Sequence, residues 1–185
     1  MIDDGNKTML GKRQLAWLKD GLRNSKAKIK IIASGSEWQR NSHADSWSSY
    51  PRERDAFFDF LRQEEITGIL LISGDRHFTG GYQIGGEFIE VTAGPLGAKN
   101  FPTKNLPEMF FNQSEGKLYA VFDIDTTNGT PRVRVEVHRP GDGVVHSQEI
   151  PWPAILGQQK LETLPIETTP EKAPFQIPFE PTPDR

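Results

Sequence analysis

An apolar run of four residues, Ile69–Ile72, leads directly into a polar turn, and this junction restricts the fold more than any other stretch. Because the run shows no alternation, it is typical of a strand buried on both faces, as in the centre of an α/β sheet. Ser73 and Gly74 follow the run and predict a tight turn. Such folds bind their ligands at the carboxyl ends of the strands, so this turn is the first candidate for a functional site.

Asp75 and His77 stand two residues apart immediately after this strand. In an extended segment, residues at i and i+2 point to the same side, so both side chains could reach one small ligand. Carboxylate and imidazole are common metal ligands, which makes a metal ion the first interpretation. The alternative is an aspartate that forms the turn beside a surface histidine. Arg76 alternates with the two and is expected to face away, so no catalytic role is assigned to it.

The preceding segments predict a parallel βαβ unit. Lys28–Ala33 has the pattern of a strand, and Pro51–Arg62 has that of a helix with one apolar face. Strand, loop, helix and central strand imply a right-handed crossover. A further amphipathic helix is predicted over Leu15–Leu22, with Thr8 as the candidate cap of its amino terminus.

The loop between the first strand and this helix, Glu37–Pro51, is long, polar and rich in aromatic residues. Long ordered loops in compact domains usually have a function. Trp38, His43 and Asp45 are therefore candidates for substrate contact. The aromatic side chains could instead form a lid packed on the core, and His43 could be a solvated loop histidine.

The second half of the sequence predicts antiparallel strands. A hairpin punctuated by glycines is predicted over residues 82–92, and three more strands over residues 118–150, whereas residues 93–113 are expected to be irregular. His138 and His146 lie on the later strands and are interpreted as exposed sheet residues. The predicted fold class is α/β (α+β), a parallel βαβ unit followed by antiparallel strands.

Eight of the 14 prolines lie at or beyond residue 151, where the hydrophobic periodicity ends. Because proline interrupts both helices and strands, regular structure is not expected there. The predicted domain therefore spans residues 1–157, and residues 158–185 form a proline-rich tail. Trp152 and Ile155 are expected to hold the first part of this stretch on the domain.

Composition excludes several functional classes. The chain has 185 residues, a formal net charge of -3 and no cysteine. This charge gives no general attraction to nucleic acid or to anionic membranes, and disulfides and thiolate ligands are excluded. No apolar run approaches the roughly 20 residues needed to span a bilayer. The first residues lack the basic and apolar regions of a signal peptide.

Three stretches together resemble the alkaline phosphatase D (PhoD-like) branch of the calcineurin-like metallophosphoesterases, and they occur in the family's order. The last one resembles the family's final metal-binding motif. The likeness extends from about Thr8 to Ile150. The stretches are Met9-Leu10-Gly11 with Gln14, Trp17 and Leu18; Asp45-Ser46-Trp47 with Tyr50-Pro51 and Arg54; and Ser73-Gly74-Asp75-Arg76-His77.

The resemblance implies that Asp75 and His77 each contribute to one metal of a binuclear centre, expected to hold iron and calcium, with zinc, manganese or magnesium as alternatives. It implies hydrolysis of phosphate monoesters or diesters, a four-layer αββα sandwich, and a secreted or periplasmic location.

The family also carries an Asp-rich first strand, a Gly-Asp-x-x motif and a Gly-Asn-His motif, all upstream of the helix that opens this chain, where this sequence has none. The sequence therefore corresponds to the carboxyl-terminal half of the family domain. Two hypotheses follow. The chain is part of a phosphate-ester hydrolase, or it is a non-catalytic half-domain, either inert or paired with another chain. Such a half would leave a sheet surface exposed, through which it could self-associate.

Overall fold

The computed structural model describes residues 7–40, 44–101 and 103–165. Within these ranges the chain forms two sheets and three α-helices. In chain order, the elements are α1 (Gly11–Asn24), β1 (Lys30–Ala33), α2 (Pro51–Gln63), β2 (Ile69–Ser73), β3 (Thr79–Ile84), β4 (Phe88–Thr92), β5 (Met109–Gln113), β6 (Tyr119–Asp125), β7 (Arg132–Arg139), β8 (Gly143–Ile150) and α3 (Trp152–Ile155).

A mixed five-stranded sheet has the order β1-β2-β4-β3-β5. β1, β2 and β4 are parallel, whereas β3 runs antiparallel to β4 and β5. The apolar run in β2 therefore has a strand on each side, as predicted. An antiparallel three-stranded sheet, β6-β7-β8, packs on one face of the larger sheet, and α1 and α2 pack on the other. The fold is thus a partial form of the predicted sandwich.

α2 follows the prediction, because its apolar face is buried against the five-stranded sheet. α1 contains the predicted stretch Leu15–Leu22 and begins at Gly11, but Thr8 does not cap it. The cap comes from α2, where the Glu53 carboxylate accepts hydrogen bonds from the backbone N–H groups of Met9 and Leu10. A carboxylate at this position satisfies orphan donors and complements the helix dipole.

Two expectations for the second half were wrong. Residues 109–113 form β5, although the stretch around them was expected to be irregular. This strand pairs with β3, and a glycine opposite Phe111 makes room for its ring: a Cβ on Gly81 would come within 2.4 Å of that ring. His138 and His146 are half-buried rather than exposed. The His146 ring stacks on Phe111, and His138 Nε2 lies 3.1 Å from the Glu136 carboxylate.

The chain after α3 stays in contact with the domain at least as far as residue 165. Gln83 donates from Nε2 to the Gln159 carbonyl and accepts at Oε1 from the Leu161 N–H, at 2.7 Å each. The Leu164 N–H donates to the Met109 carbonyl of β5. The part of the predicted tail beyond residue 165 lies outside the described ranges. Among the described residues, no helix is long and apolar enough to cross a membrane.

Candidate functional site

The turn after β2 has an unusual backbone. Asp75 and His77 both adopt left-handed conformations, with φ of +69° and +58°. Non-glycine residues seldom occupy this region, although Asp and His do so more often than most. The segment is therefore a turn and not the extended strand end from which the sequence argument started. It nevertheless places Asp75 on the surface, His77 half-buried beside it, and the Arg76 side chain turned inward.

Asp75 and His77 line one cavity of about 490 Å³. Asp45, a candidate from the loop after β1, lines the same cavity and is exposed. Two loops that follow neighbouring parallel strands thus meet at the carboxyl edge of the sheet. The remaining lining residues are Arg76, Phe101 and Thr103.

The His77 ring is oriented by the segment after β4. Its Nδ1 lies 2.6 Å from the Lys99 carbonyl oxygen, and its ring stacks on Phe101 with 4.8 Å between centroids. A carbonyl can only accept, so Nδ1 is the donor in this contact, and the neutral form of the ring carries its proton there. Nε2 then presents a lone pair, which is the arrangement typical of a metal-binding histidine held by a backbone carbonyl.

The described residues contain no group of three His, Cys, Asp or Glu side chains that could hold a metal ion. Metal sites in proteins use about four or more ligands. Asp75 and His77 therefore fit one part of a coordination sphere. His43, the other histidine among the candidates from the sequence, lies outside the described residues.

Trp38 does not contact the cavity. Its side chain is 1% exposed, and its ring stacks on Trp47 with centroids 3.7 Å apart. The ring also lies against Phe57 of α2. Of the two interpretations of the loop aromatics, the structure favours a lid packed on the core. The physical reason is the large apolar surface of two indole rings, because burying it against a helix lowers the free energy more than leaving it exposed at a polar rim.

A buried carboxylate that the sequence analysis did not single out lies beneath this lid. Glu90 of β4 is 0% exposed and accepts hydrogen bonds from the N–H groups of Trp38 and Gln39, at 2.8 and 3.0 Å. The Ser73 hydroxyl donates a third, at 2.7 Å. Burial raises the pKa of Glu90 to about 7, the three donors act against this shift, and the nearby charge of Glu37 adds to it.

Glu37, in the loop after β1, is a second fully buried carboxylate. Its Oε2 accepts a hydrogen bond from Gln39 Nε2 at 3.2 Å and lies 3.1 Å from Nε of Arg76. The phenol of Tyr82 on β3 lies close enough for both carboxylates to raise its pKa, although burial is the larger cause. These groups form a polar cluster directly behind the turn that carries Asp75 and His77.

One signal in the sequence points to this cluster. Glu90 lies inside Phe88–Thr92, in which the four remaining residues are apolar or threonine. A charged residue within a strand of that kind must be either exposed or paired inside the protein. Glu37 has no comparable signal, because a glutamate in a polar loop is ordinarily exposed.

A model of the PhoD-like phosphatase family matches residues 1–139. Alkaline phosphatase D of Bacillus subtilis (strain 168) is 26% identical over 103 residues, which cover 51% of this chain and 18% of that protein. A solved structure titled "Structure of PhoD" superimposes with a TM-score of 0.55 at 15% identity, over 90% of this chain and 38% of that chain. The chain therefore spans well under half the length of these relatives.

Proposed function

The chain belongs to the PhoD-like phosphatase family, and we propose that it supplies the carboxyl-terminal part of a metal-dependent hydrolase of phosphate monoesters or diesters. One observation carries this proposal. Asp75 and His77 line a single cavity at the carboxyl edge of the sheet, and Nδ1 of His77 lies against the Lys99 carbonyl, so that Nε2 is the nitrogen of the neutral ring that could bind a metal. This is the chemistry of a metal-binding pair.

In this proposal the chain's own residues hold the metals and keep their geometry. Asp75 provides carboxylate oxygens, which suit calcium, and His77 provides an imidazole nitrogen, which suits iron. Zinc, manganese and magnesium are the alternatives. Two bound metals would polarise the phosphoryl group and stabilise the charge that develops during its transfer. Lys99 fixes the ring of His77 through its carbonyl, and Phe101 covers one face of that ring.

The remaining ligands would come from outside the described residues, within which no group of three candidate ligands occurs. This agrees with the share of the relatives that the chain spans, 18% of the curated protein and 38% of the solved chain. Hydrolysis is therefore proposed for the whole domain, and partial metal binding for this chain.

The proposal is tested by equilibrium dialysis of the full chain against iron, calcium, zinc or manganese, together with hydrolysis of a chromogenic phosphodiester. Asp75→Asn and His77→Ala should each weaken metal binding by at least about tenfold. Asp123→Asn and His138→Ala, on the outer face of the three-stranded sheet, are matched controls and should leave it unchanged. In the complete enzyme, activity of either site variant within tenfold of the wild type would contradict the proposal.

A second candidate function is supported by the open edge of β1. The N–H groups of Lys30 and Ser34 donate to β2, so those of Ile31 and Ala33 point away from it. Ile31 is 52% exposed, and no described strand pairs with this side of β1. Such an edge can accept another strand, which favours a half-domain that pairs with another chain or with a second copy.

The two candidates differ in a simple measurement of mass in solution. Pairing through β1 predicts a dimer in light scattering that Ile31→Lys converts to a monomer, since charges on edge strands oppose pairing. Tyr119→Lys, at a similarly exposed position on β6, is the control and should leave the dimer intact. A monodisperse wild-type monomer that hydrolyses the phosphodiester would rule out the half-domain.

A further inference from the structure

We propose that Arg76 is a positioning residue, which holds the turn carrying Asp75 and His77 through its ion pair with the buried Glu37. This inference rests on the proposed function, because it concerns the same pair of candidate ligands. Arg76 itself touches neither metal nor substrate in this proposal. It acts through the backbone on either side of it.

Arg76 is the inward-facing residue of the turn. Its side chain is 19% exposed, and its Nε lies 3.1 Å from Oε2 of Glu37, whose side chain is 0% exposed. Its guanidinium carbon lies 5.8 Å from the ring centroid of Phe78, which is fully buried. The charged end of Arg76 thus lies beside a buried carboxylate, and Arg76 also borders the cavity that its two neighbours line.

The acceptor of this ion pair is itself firmly placed. Glu37 is followed by Trp38 and Gln39, whose backbone N–H groups donate to the buried Glu90 on β4. The Glu37 carboxylate also accepts from the side chain of Gln39. Arg76 therefore connects the turn after β2 to a loop that is hydrogen-bonded directly to the sheet.

The turn needs such a connection because its backbone is held in a sparsely populated conformation. Asp75 and His77 on either side of Arg76 both have positive φ values, +69° and +58°. Non-glycine residues remain in this region only where the surrounding structure holds them there. If the ion pair is lost, we expect Asp75 and His77 to leave the left-handed backbone region, which would separate the His77 ring from the Lys99 carbonyl.

The test follows the His77 ring in the full-length chain by two-bond 1H–15N NMR at pH 8.5, above the range in which imidazoles ordinarily titrate. The wild-type ring should carry its proton on Nδ1, against the Lys99 carbonyl. Arg76→Met should convert it to a mixture of tautomers, and Arg76→Lys should largely restore the wild-type state. Arg13→Met, on the exposed surface of α1, is the matched control and should change nothing.

Arg76→Met alone removes a cationic partner of the buried Glu37 and could fail to fold for that reason. The double variant Glu37→Gln/Arg76→Met removes both charges and avoids this defect. It should fold, as shown by an unchanged near-ultraviolet circular dichroism signal from the stacked Trp38 and Trp47, and still show mixed His77 tautomers. Wild-type ring shifts in the folded double variant would overturn the proposal.

A manganese titration of the same samples separates this proposal from the previous one. Arg76→Lys should bind manganese like the wild type, and the double variant about tenfold more weakly, as for loss of other groups that orient metal ligands. If the wild type binds no manganese but its tautomer changes in the double variant, Arg76 positions the turn and the metal proposal fails. If manganese binds equally to all variants, the positioning role fails and the metal proposal stands.

Discussion

Two loops at the same edge of the five-stranded sheet are built in opposite ways. The loop after β1 turns its aromatic rings and the Glu37 carboxylate into the protein, next to Glu90 of β4, and Trp38, Glu37 and Glu90 are all nearly or fully buried. The loop after β2 exposes Asp75, leaves His77 half-buried, and directs the arginine between these two candidate ligands toward Glu37. The first loop stabilises the fold by burying its side chains. The second loop presents polar groups from a strained turn, which the buried first loop helps to hold.

The largest expected effect is in the first loop. Trp38→Ala removes a ring that contacts Trp47, Phe57 and Phe58, and leaves a cavity in the helix-side core. The free energy of unfolding should fall by about 3–5 kcal/mol, as for other buried aromatic truncations. Urea denaturation measures this.

Trp17→Ala is the matched control, since Trp17 is 72% exposed on α1 and should lose no more than about 0.5 kcal/mol. Equal losses in the two variants would mean that Trp38 is no more buried in solution than Trp17.

The second prediction concerns pH. The pKa of Glu90 rises from 4.5 to about 7, mainly because of burial, so the folded state binds more protons than the unfolded state between these values. The contribution of protonated Glu90 to the free energy of unfolding is therefore fully present below about pH 4.5 and is lost as the pH rises through 7. The loss is on the order of 3 kcal/mol.

Glu90→Gln should remove this slope, because the amide keeps an acceptor but does not titrate. Urea denaturation of the wild type and the variant at several pH values gives the difference curve in which other titrating groups cancel. A difference curve that is flat from pH 4.5 to 8 would contradict the assignment.

The third prediction tests the contact between the two helices. Glu53→Gln weakens the acceptor for the N–H groups of Met9 and Leu10 at the start of α1. Loss of charge at a helix amino terminus should lower the free energy of unfolding by about 1 kcal/mol. Amide hydrogen exchange should show faster opening of the first turn of α1. Glu65→Gln, exposed at the end of α2, should alter neither quantity.

The smallest effect on stability is expected in the second loop. Asp75→Asn keeps a residue that tolerates a left-handed backbone, and its side chain is exposed. The free energy of unfolding should change by less than about 0.5 kcal/mol, although metal binding is weakened under the proposed function. Thermal denaturation measures the first quantity. A loss comparable to that of Trp38→Ala would mean that both loops stabilise the fold and would remove the contrast between them.

Much of the fold could be predicted from the sequence because local pattern and burial agree. The apolar run in β2 indicates a strand buried on both faces, and the apolar face of α2 indicates a helix packed on a sheet. Both elements lie where they were expected. β5 was missed since its pairing depends on glycines in β3, distant in sequence, that leave room for Phe110 and Phe111. No local pattern reports such a fit.

The candidate site divides in the same way. The Asp75–His77 spacing was visible in the sequence, and the structure brings both side chains to one cavity with Asp45. The roles of Arg76 and Glu37 were not visible, because each depends on the conformation of a loop whose contacts are distant in sequence. A charged residue in a loop has no pattern that distinguishes an internal ion pair from solvent exposure.

The segment over residues 158–165 has a consequence for aggregation. By donating from Leu164 to Met109, it occupies part of the outer side of β5, whereas the outer side of β1 is open among the described strands. A sheet with two open sides can add copies at both and grow into a fibre, but a sheet with one open side closes on itself after a single addition. The same segment would thus limit association through the five-stranded sheet to two copies.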